Sequence, residues 1–234
     1  MANKNYLVAG GSSGIGLALV KMLSAEGHRV WVLSRTGDSL VGIPGVVHVK
    51  CDLLAEEIQE GDLPESLDGV VYCPGSINLK PFRSLKPESF SEDFRINVLG
   101  AVKVLQAAQK ALKKAESAAV VLFSTVAVSR GMPFHASIAA AKGAVEGLTR
   151  SLAAEWAPAV RVNCIAPSLT DTPLAERLLS SPEKREAASN RHPLRRIGSA
   201  AEVASLALFL LSDNSRWMSG QVIGMDGGLG GLSL

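Results

Sequence analysis

The chain has 234 residues, 47% of them hydrophobic, which suits one α/β domain with a large buried core better than two domains. Lysine plus arginine (24) nearly balance aspartate plus glutamate (22), and no basic tail gathers them, so nothing indicates nucleic acid or a membrane surface as a partner. The three widely spaced cysteines argue against a disulfide framework or a metal site, and with no signal-peptide or membrane-length apolar stretch they predict a cytoplasmic protein.

Short β-rich runs alternate with helical runs along the chain. This order is typical of a parallel sheet covered by helices on both faces. We therefore predict an α/β fold with one domain over residues 1–234, a doubly wound parallel seven-stranded sheet of the Rossmann type. The predicted strands are residues 5–9, 29–33, 46–50, 69–73, 118–124, 160–166 and 221–227, and the predicted helices are roughly 14–27, 88–115, 136–156, 173–189 and 200–212.

The first predicted strand leads directly into "AGGSSGIG", a glycine-rich turn that opens the first helix. Glycines at such a turn let the backbone approach a ligand closely, so that a pyrophosphate can lie at the helix amino terminus. Tight turns also use glycine for steric reasons alone, and the spacing here is G-x-x-x-G-x-G instead of G-x-G-x-x-G. The turn predicts cofactor contacts from Gly10, Ser12, Ser13, Gly14, Ile15 and Gly16.

The second predicted strand ends in "LSRTG", where a dinucleotide-binding fold distinguishes a ribose hydroxyl from a ribose phosphate. Ser34 and Arg35 stand there, and no acidic residue does. An arginine can pair bidentately with a 2′-phosphate, which favours NADP(H) over NAD(H). The alternative is an arginine that is simply solvated at the surface.

Further motifs follow in chain order: "CDL" at 51–53, "YCPG" at 72–75, "INVLG" at 96–100, "NCIAPSLTDT" at 163–172, and a closing helix and strand. Together with the glycine turn they resemble the short-chain dehydrogenase/reductase family over essentially the whole chain. "YCPG" stands where that family has N-N-A-G, and Ser168 replaces a glycine. The resemblance implies cofactor contacts from Cys51, Asp52, Leu53, Gly75, Asn97, Lys142, Pro167 and Thr172.

The family works with an asparagine, a serine, and the tyrosine and lysine of Y-x-x-x-K. The resemblance assigns these catalytic roles to Asn97, Thr125 and Lys142, whereas Ile138 stands at the tyrosine position. Residues four apart share a helix face, so the geometry is kept, but an isoleucine cannot donate a proton. The two tyrosines of the chain, at positions 6 and 72, fall in predicted strands and offer no evident substitute.

His135 is a candidate proton donor, because a histidine can exchange protons near neutral pH. It precedes Lys142 by seven residues, the spacing at which the enoyl-reductase branch of the family places its tyrosine. Ser137 could cap the helix and leave His135 in the preceding loop, and a lone histidine is more often structural than catalytic. His28, His48 and His192 have no comparable context.

The missing tyrosine bears on the reaction. Carbonyl reduction generates an alkoxide that needs a well-placed acid, whereas reduction of a conjugated C=C generates a less basic enolate that water can protonate. We predict an NADP(H)-dependent oxidoreductase that transfers a hydride between the nicotinamide and a small or medium apolar carbonyl or enoyl substrate. One alternative is an NADP(H)-binding pseudoenzyme with a regulatory or structural role, and another is an interaction module without a cofactor. The resemblance also implies a homodimer or homotetramer.

Overall fold

A seven-stranded parallel sheet runs through the middle of the protein, which confirms the architecture predicted from the alternation of strands and helices. The computed structural model describes residues 3–232, so residues 1, 2, 233 and 234 of the predicted domain lie outside the described residues. In chain order the strands are β1 (Asn5–Ala9), β2 (Arg29–Ser34), β3 (Val46–Lys50), β4 (Gly69–Tyr72), β5 (Ala118–Phe123), β6 (Val160–Pro167), β7 (Thr170–Asp171), β8 (Gly198–Ser199) and β9 (Val222–Met225). The two-residue strands β7 and β8 pair with each other, apart from the main sheet.

Helices cover both faces of the sheet, and each face has its own core. The helices are α1 (Gly14–Ala25), α2 (Pro87–Phe94), α3 (Gly100–Leu112), α4 (Val126–Ser129), α5 (Ala136–Trp156), α6 (Pro182–Asn190) and α7 (Ala200–Leu211). Successive strand residues point to opposite faces, so Leu7 packs in the core under α3 and α5, whereas Val8 packs in the core under α1 and α7. Because both faces are covered, the inner strands are apolar throughout, and all six residues of β5 are buried.

The order of the strands in the sheet is β3-β2-β1-β4-β5-β6-β9. From β1 the chain moves outward through β2 and β3, and it then returns to place β4 on the other side of β1. In open α/β sheets this reversal leaves a crevice at the carboxyl ends of the two central strands, and ligands bind there. The crevice lies where the predicted glycine turn follows β1.

The single helix predicted at residues 173–189 is wrong, since the structure has two elements there. A 3-10 helix covers Pro173–Leu179, and α6 begins only at Pro182. Proline cannot continue a preceding helix and disfavours helical backbone at the residue before it. The Ser181 hydroxyl accepts a hydrogen bond from the Lys184 backbone N–H at 3.3 Å, which starts the second helix.

The helix predicted at 88–115 is a continuous helical run that changes type in the middle. Between α2 and α3 the segment Arg95–Leu99 is π-helical. A π-helical turn holds one more residue than an α-helical turn and is frequent at functional sites. It carries Asn97. Within residues 3–232, no helix combines the length and the apolar character that a membrane span requires.

Candidate functional site

The glycine turn after β1 adopts a backbone that other residues would strain. Gly10 and Gly14 have positive φ angles of 73° and 52°. A Cβ added to Gly16 would lie 2.4 Å from the Gly10 carbonyl oxygen, so no side chain fits where α1 approaches the turn. The turn therefore leaves bare backbone at the amino end of α1, the arrangement that accommodates a phosphate group.

A groove of about 520 Å³ crosses the carboxyl ends of β1, β2 and β4. Arg35 is exposed at one end of it, and Asp52 is held there because its Oδ1 accepts a hydrogen bond from the Leu54 N–H at 3.0 Å. The groove brings together most of the residues predicted to contact a cofactor, namely Gly10, Ser12, Ser13, Gly14, Ile15, Gly16, Ser34, Arg35, Cys51, Asp52, Leu53, Gly75 and Thr172. The bare turn, the size of the groove and the basic side chain in its lining fit a phosphate-bearing dinucleotide.

An apolar pocket of about 380 Å³ adjoins the groove. Its walls include Thr125, His135, Ile138, Lys142 and Pro167, so it collects the remaining predicted site residues except Asn97. Hydrophobic side chains complete the lining, among them Ile77, Leu79, Met132, Leu169 and Leu178. Gly75 and Thr172 line both the groove and the pocket, which joins the two spaces.

Lys142 is a buried cation at the wall of this pocket, 8% exposed. Its Nζ donates a hydrogen bond to the Phe123 carbonyl oxygen at 2.8 Å. Burial lowers the pKa of Lys142 to about 8, and the Cys164 thiol, the Cys73 thiol and the Asp93 carboxyl partly oppose that change. An ammonium group has three protons, so Lys142 keeps two for a ligand after the bond to Phe123.

Asn97 lies beside Lys142 in a polar network that the sequence did not predict. Its Nδ2 donates to the Ser76 hydroxyl at 2.9 Å and to the Asp93 carbonyl oxygen at 2.8 Å. The Ser76 hydroxyl in turn donates to Asp93 Oδ1 at 2.6 Å. A Cβ on Gly75 would come within 3.2 Å of Asn97 Oδ1 and 3.4 Å of Lys142 Nζ, so the glycine leaves space beside both groups.

This network is incompletely paired. Among the described residues, Asn97 Oδ1 and Asp93 Oδ2 are buried without a hydrogen-bond partner. Buried polar atoms without partners cost free energy, and they are concentrated where ligands or water complete a site. Asp93 and Ser76 are therefore candidate site residues missed by sequence reasoning. Asp93 lies four residues before Asn97 on the helical run, a spacing that could have indicated a shared face.

Thr125 and Ile138 both line the pocket, and their side chains differ in chemistry. Thr125 is the N-cap of α4, where its Oγ1 accepts from the Ala127 N–H at 3.3 Å, so the hydroxyl proton remains available to a ligand. The neighbouring Ser124 is buried and donates to Glu146 Oε1 at 2.7 Å, which commits its proton elsewhere. Ile138 is 5% exposed and supplies only apolar surface.

Neither tyrosine replaces the missing phenol. The Tyr72 hydroxyl donates to the Ile96 carbonyl oxygen at 2.6 Å, and burial raises the pKa of Tyr72. Tyr6 is buried in the core under α1 and α7, away from the pocket. Both observations agree with their placement in strands.

His135 occupies the N-cap position of α5 and lines the pocket. Its Nδ1 lies 2.7 Å from the Pro133 carbonyl oxygen, an atom that can only accept, so Nδ1 carries the proton and Nε2 is the nitrogen left for a ligand. The suggested cap by Ser137 is wrong, because Ser137 lies inside the helix and is 1% exposed. Within residues 3–232, no group of three or more potential ligands is arranged to hold a metal ion.

The chain is similar to known proteins over the strands and helices that form this site. A family model described as Enoyl-(Acyl carrier protein) reductase matches residues 9–230. An L-xylulose reductase from Bos taurus is 34% identical over 240 residues, which cover 97% of this chain and 97% of that protein. A 3-oxoacyl-[acyl-carrier-protein] reductase from Thermotoga maritima is 34% identical, covering 98% of each. A solved short-chain type dehydrogenase/reductase from Mycobacterium ulcerans superposes with a TM-score of 0.87 at 30% identity, covering 98% of this chain and 90% of that one.

These matches run through the glycine turn, the helix that carries Asn97 and the helix that carries Lys142. They cover nearly the full length of each relative, so the likeness belongs to the whole domain and not to the nucleotide-binding half alone. The chain belongs to the short-chain dehydrogenase/reductase family of oxidoreductases.

Proposed function

We propose that the protein is an NADP(H)-dependent reductase of small or medium apolar carbonyl or enoyl compounds. The observation that carries the proposal is the junction of the nucleotide-sized groove with an apolar pocket whose wall holds Lys142 and Thr125. The relatives support reduction, since they are named for reductase activity. They give no support to a protein of this fold that has lost its redox function.

Arg35 supports the choice of NADP(H). It is exposed at the end of β2, on the rim of the groove. A guanidinium there can meet a 2′-phosphate with two parallel hydrogen bonds, whereas a ribose 2′-hydroxyl prefers an acidic residue. Charge-assisted hydrogen bonds contribute about 1.5–3 kcal/mol each, so we expect a preference for NADPH of about tenfold or more.

Three residues have separate roles where the hydride would be transferred, namely Lys142, Thr125 and Asn97. When bound, the nicotinamide supplies a hydride. The two free protons of the Lys142 ammonium would hold the hydroxyls of the cofactor's ribose, and its positive charge would stabilise developing negative charge on the substrate. The Thr125 hydroxyl donates to the substrate oxygen. Asn97 Oδ1, buried and unpaired, can accept from a water beside Lys142.

The pocket itself favours an apolar substrate. Leucine, isoleucine and methionine side chains form much of its lining, and Ile138 adds apolar surface where a tyrosine would have placed a hydroxyl. Because a conjugated C=C demands less of an acid than an isolated carbonyl does, both substrate types fit the proposal. His135 is one candidate source of the proton in either reaction, because Nε2 also carries a proton when the ring is charged.

One probe compound tests the reaction and its type together. Benzylideneacetone has a carbonyl conjugated to a C=C, so NADPH consumption shows reduction, and the product is an allylic alcohol if the carbonyl is reduced or a saturated ketone if the C=C is reduced. We expect NADPH-dependent turnover. Absence of turnover on this compound and on an acetoacetyl thioester would overturn the proposal.

The cofactor preference has its own test. Fluorescence titration should give tighter binding of NADPH than of NADH, and Arg35→Asp should reverse the order by weakening NADPH about 10- to 100-fold. Arg29→Asp is the matched control, because Arg29 lies on the same strand at the end away from the groove, with its guanidinium 5.0 Å from the Trp31 ring centroid. Equal affinities of the parent protein for both dinucleotides would contradict the preference.

We also propose a homodimer or homotetramer in the cytoplasm. Exposed apolar side chains support assembly: Phe94 and Leu99, on the helical run that includes α3, are 41% and 52% exposed. The three cysteines, all free thiols, support a reducing compartment. Light scattering at micromolar concentration tests the assembly, and a strict monomer would contradict it.

A further inference from the structure

A serine and a histidine from separate segments meet at the wall of the apolar pocket. Ser168 follows the proline at the end of β6, and His192 lies two residues after α6. Ser168 Oγ and His192 Nε2 are 2.8 Å apart. Both residues line the pocket that also contains Lys142 and Thr125.

The second ring nitrogen of His192 determines which tautomer the neutral ring adopts. His192 Nδ1 lies 2.8 Å from the Ala188 carbonyl oxygen. A carbonyl oxygen only accepts, so Nδ1 carries a proton. In the neutral ring Nε2 then accepts the Ser168 hydroxyl proton. In the charged ring Nε2 donates to Ser168 Oγ instead, and the hydroxyl proton of Ser168 is released toward the pocket.

The packing holds the ring in this orientation. His192 is 3% exposed, and its Cδ2 would lie 3.4 Å from a Cβ added to Gly227, so the ring lies close against bare backbone. Gly227 has a φ of 60°, and its carbonyl oxygen accepts from the Leu194 N–H at 3.1 Å, which fixes the loop after the histidine. A nitrogen–hydroxyl pair that is fixed on one side and faces a cavity on the other has the geometry of a general acid and its supporting group.

We propose that Ser168 donates the proton to the substrate and that His192 resupplies it, in place of the acid absent at position 138. This inference rests on the proposed reductase function. Ser168 is the catalytic residue of the pair, since its hydroxyl meets the substrate oxygen, and His192 is a positioning and relay residue that acts through Ser168.

The proposed reaction step conserves atoms and electrons. A hydride from NADPH forms the new C–H bond on the substrate and supplies both electrons. The Ser168 O–H bond breaks as its proton moves to the negatively charged substrate oxygen, and the His192 Nε2–H bond breaks as that proton moves to Ser168 Oγ. His192 ends neutral, with Nδ1 still bonded to Ala188, and solvent at the pocket mouth returns one proton. For a conjugated C=C the same hydroxyl stabilises the enolate oxygen, and the resulting enol becomes the ketone.

The hydrogen bond to the substrate can be measured without turnover. NADP⁺ cannot donate a hydride, so benzylideneacetone labelled with ¹³C at the carbonyl forms a stable complex with the NADP⁺-loaded protein. Difference infrared spectroscopy then reports the C=O stretching band, which falls in frequency as the oxygen accepts stronger hydrogen bonds. We expect Ser168→Ala to move the band to higher frequency and Ser168→Thr, which keeps a hydroxyl, to restore it toward the parent position.

Two further variants distinguish a proton relay from a hydrogen bond that only holds the two segments together. His192→Asn keeps an N–H donor toward Ala188 and removes the Nε2–H that turns the Ser168 hydroxyl proton toward the pocket, so it should shift the band in the same direction as Ser168→Ala while retaining NADP⁺ affinity. A shift to lower frequency is the result expected if a neutral Nε2 only accepts that proton, and it would overturn the relay. His28→Gln is the matched control, because His28 is also a buried histidine, 7% exposed, but lies at the amino end of β2, away from the pocket. Its band should stay at the parent position even if its melting temperature falls.

Turnover gives the second readout. If the parent protein reduces the ketone, Ser168→Ala should lower kcat at least about 100-fold, the usual minimum contribution of a general acid, with little change in NADPH affinity. The double variant Ser168→Ala/His192→Asn should lose little more than Ser168→Ala alone, because one relay has been removed once.

Several results would overturn the inference: an unchanged band in a folded Ser168→Ala protein, a band shift in His135→Gln but not in Ser168→Ala, or no binding of the ketone to the NADP⁺ complex. A parent protein that binds the ketone with the expected band but never consumes NADPH would leave the hydrogen bond from Ser168 in place and overturn only the reductase function. The two proposals therefore fail separately.

Discussion

Replacing Lys142 with methionine is expected to change how the stability of the protein depends on pH. Burial lowers the pKa of the Lys142 ammonium from 10.5 to about 8. Between these values the unfolded chain binds more protons than the folded chain, so the free energy of unfolding of the parent protein rises with pH in this window. Methionine has a similar length and no proton to exchange, so the variant lacks that rise.

The magnitude follows from the size of the pKa change. One pKa unit corresponds to about 1.4 kcal/mol, so a fall from 10.5 to about 8 costs the folded protein about 3 kcal/mol at neutral pH. The cost fades as the pH rises from about 8 to 10.5. Removing the ammonium also leaves the Phe123 carbonyl oxygen without this donor, which costs about 1–3 kcal/mol at every pH. We therefore expect the variant to be as stable as the parent protein, or more stable, at pH 7.

Urea denaturation without dinucleotide, from pH 7 to pH 10, measures this difference. The free energy of unfolding of Lys142→Met minus that of the parent should decrease by about 2 kcal/mol over the range. Burial raises the pKa of the Cys73 and Cys164 thiols, which lowers stability at alkaline pH in both proteins and largely cancels in the comparison. Lys21→Met, at an exposed position on α1, should keep the parent pH dependence. A difference that does not vary with pH would refute the reasoning.

Two other substitutions test the site at its two ends. Ile138→Tyr should create or increase carbonyl reduction because it places a phenol one turn from Lys142, at a cost of about 1–3 kcal/mol if the buried side chain overpacks; a folded, NADPH-binding variant with no gain on a panel of ketones would argue against it. Gly16→Ala should weaken NADPH binding and lower the melting temperature, because its Cβ would lie 2.4 Å from the Gly10 oxygen; titration and thermal denaturation showing parent values would contradict the steric argument.

The sheet could be predicted from the sequence because the evidence for each strand lies within a short stretch of the chain. Each strand is a short apolar run, and the glycines after β1 are adjacent in the chain, so the pattern is visible without knowing the fold. The error at residues 173–189 was avoidable, because "SSPE" at 180–183 combines an N-cap serine with a proline at the first helical position.

The polar groups around the pocket were missed for a different reason. Ser168 and His192 are 24 residues apart, and Ser76 and Asp93 are 17 apart. No local pattern relates them, because their contacts depend on where the fold places the loops that follow β4 and β6. The same applies to the pairing of the Ser124 hydroxyl with Glu146, which leaves Thr125 as the one of these two neighbours with an uncommitted hydroxyl proton.

Because the groove and the apolar pocket share lining residues, among them Gly75 and Thr172, we expect a bound dinucleotide to form part of the pocket wall. A substrate that gains a wall from the bound dinucleotide binds more tightly in its presence, and by thermodynamic reciprocity it strengthens dinucleotide binding by the same factor. The amount of protein that carries both ligands would then depend on the product of the dinucleotide and substrate concentrations. Each ligand would slow the dissociation of the other.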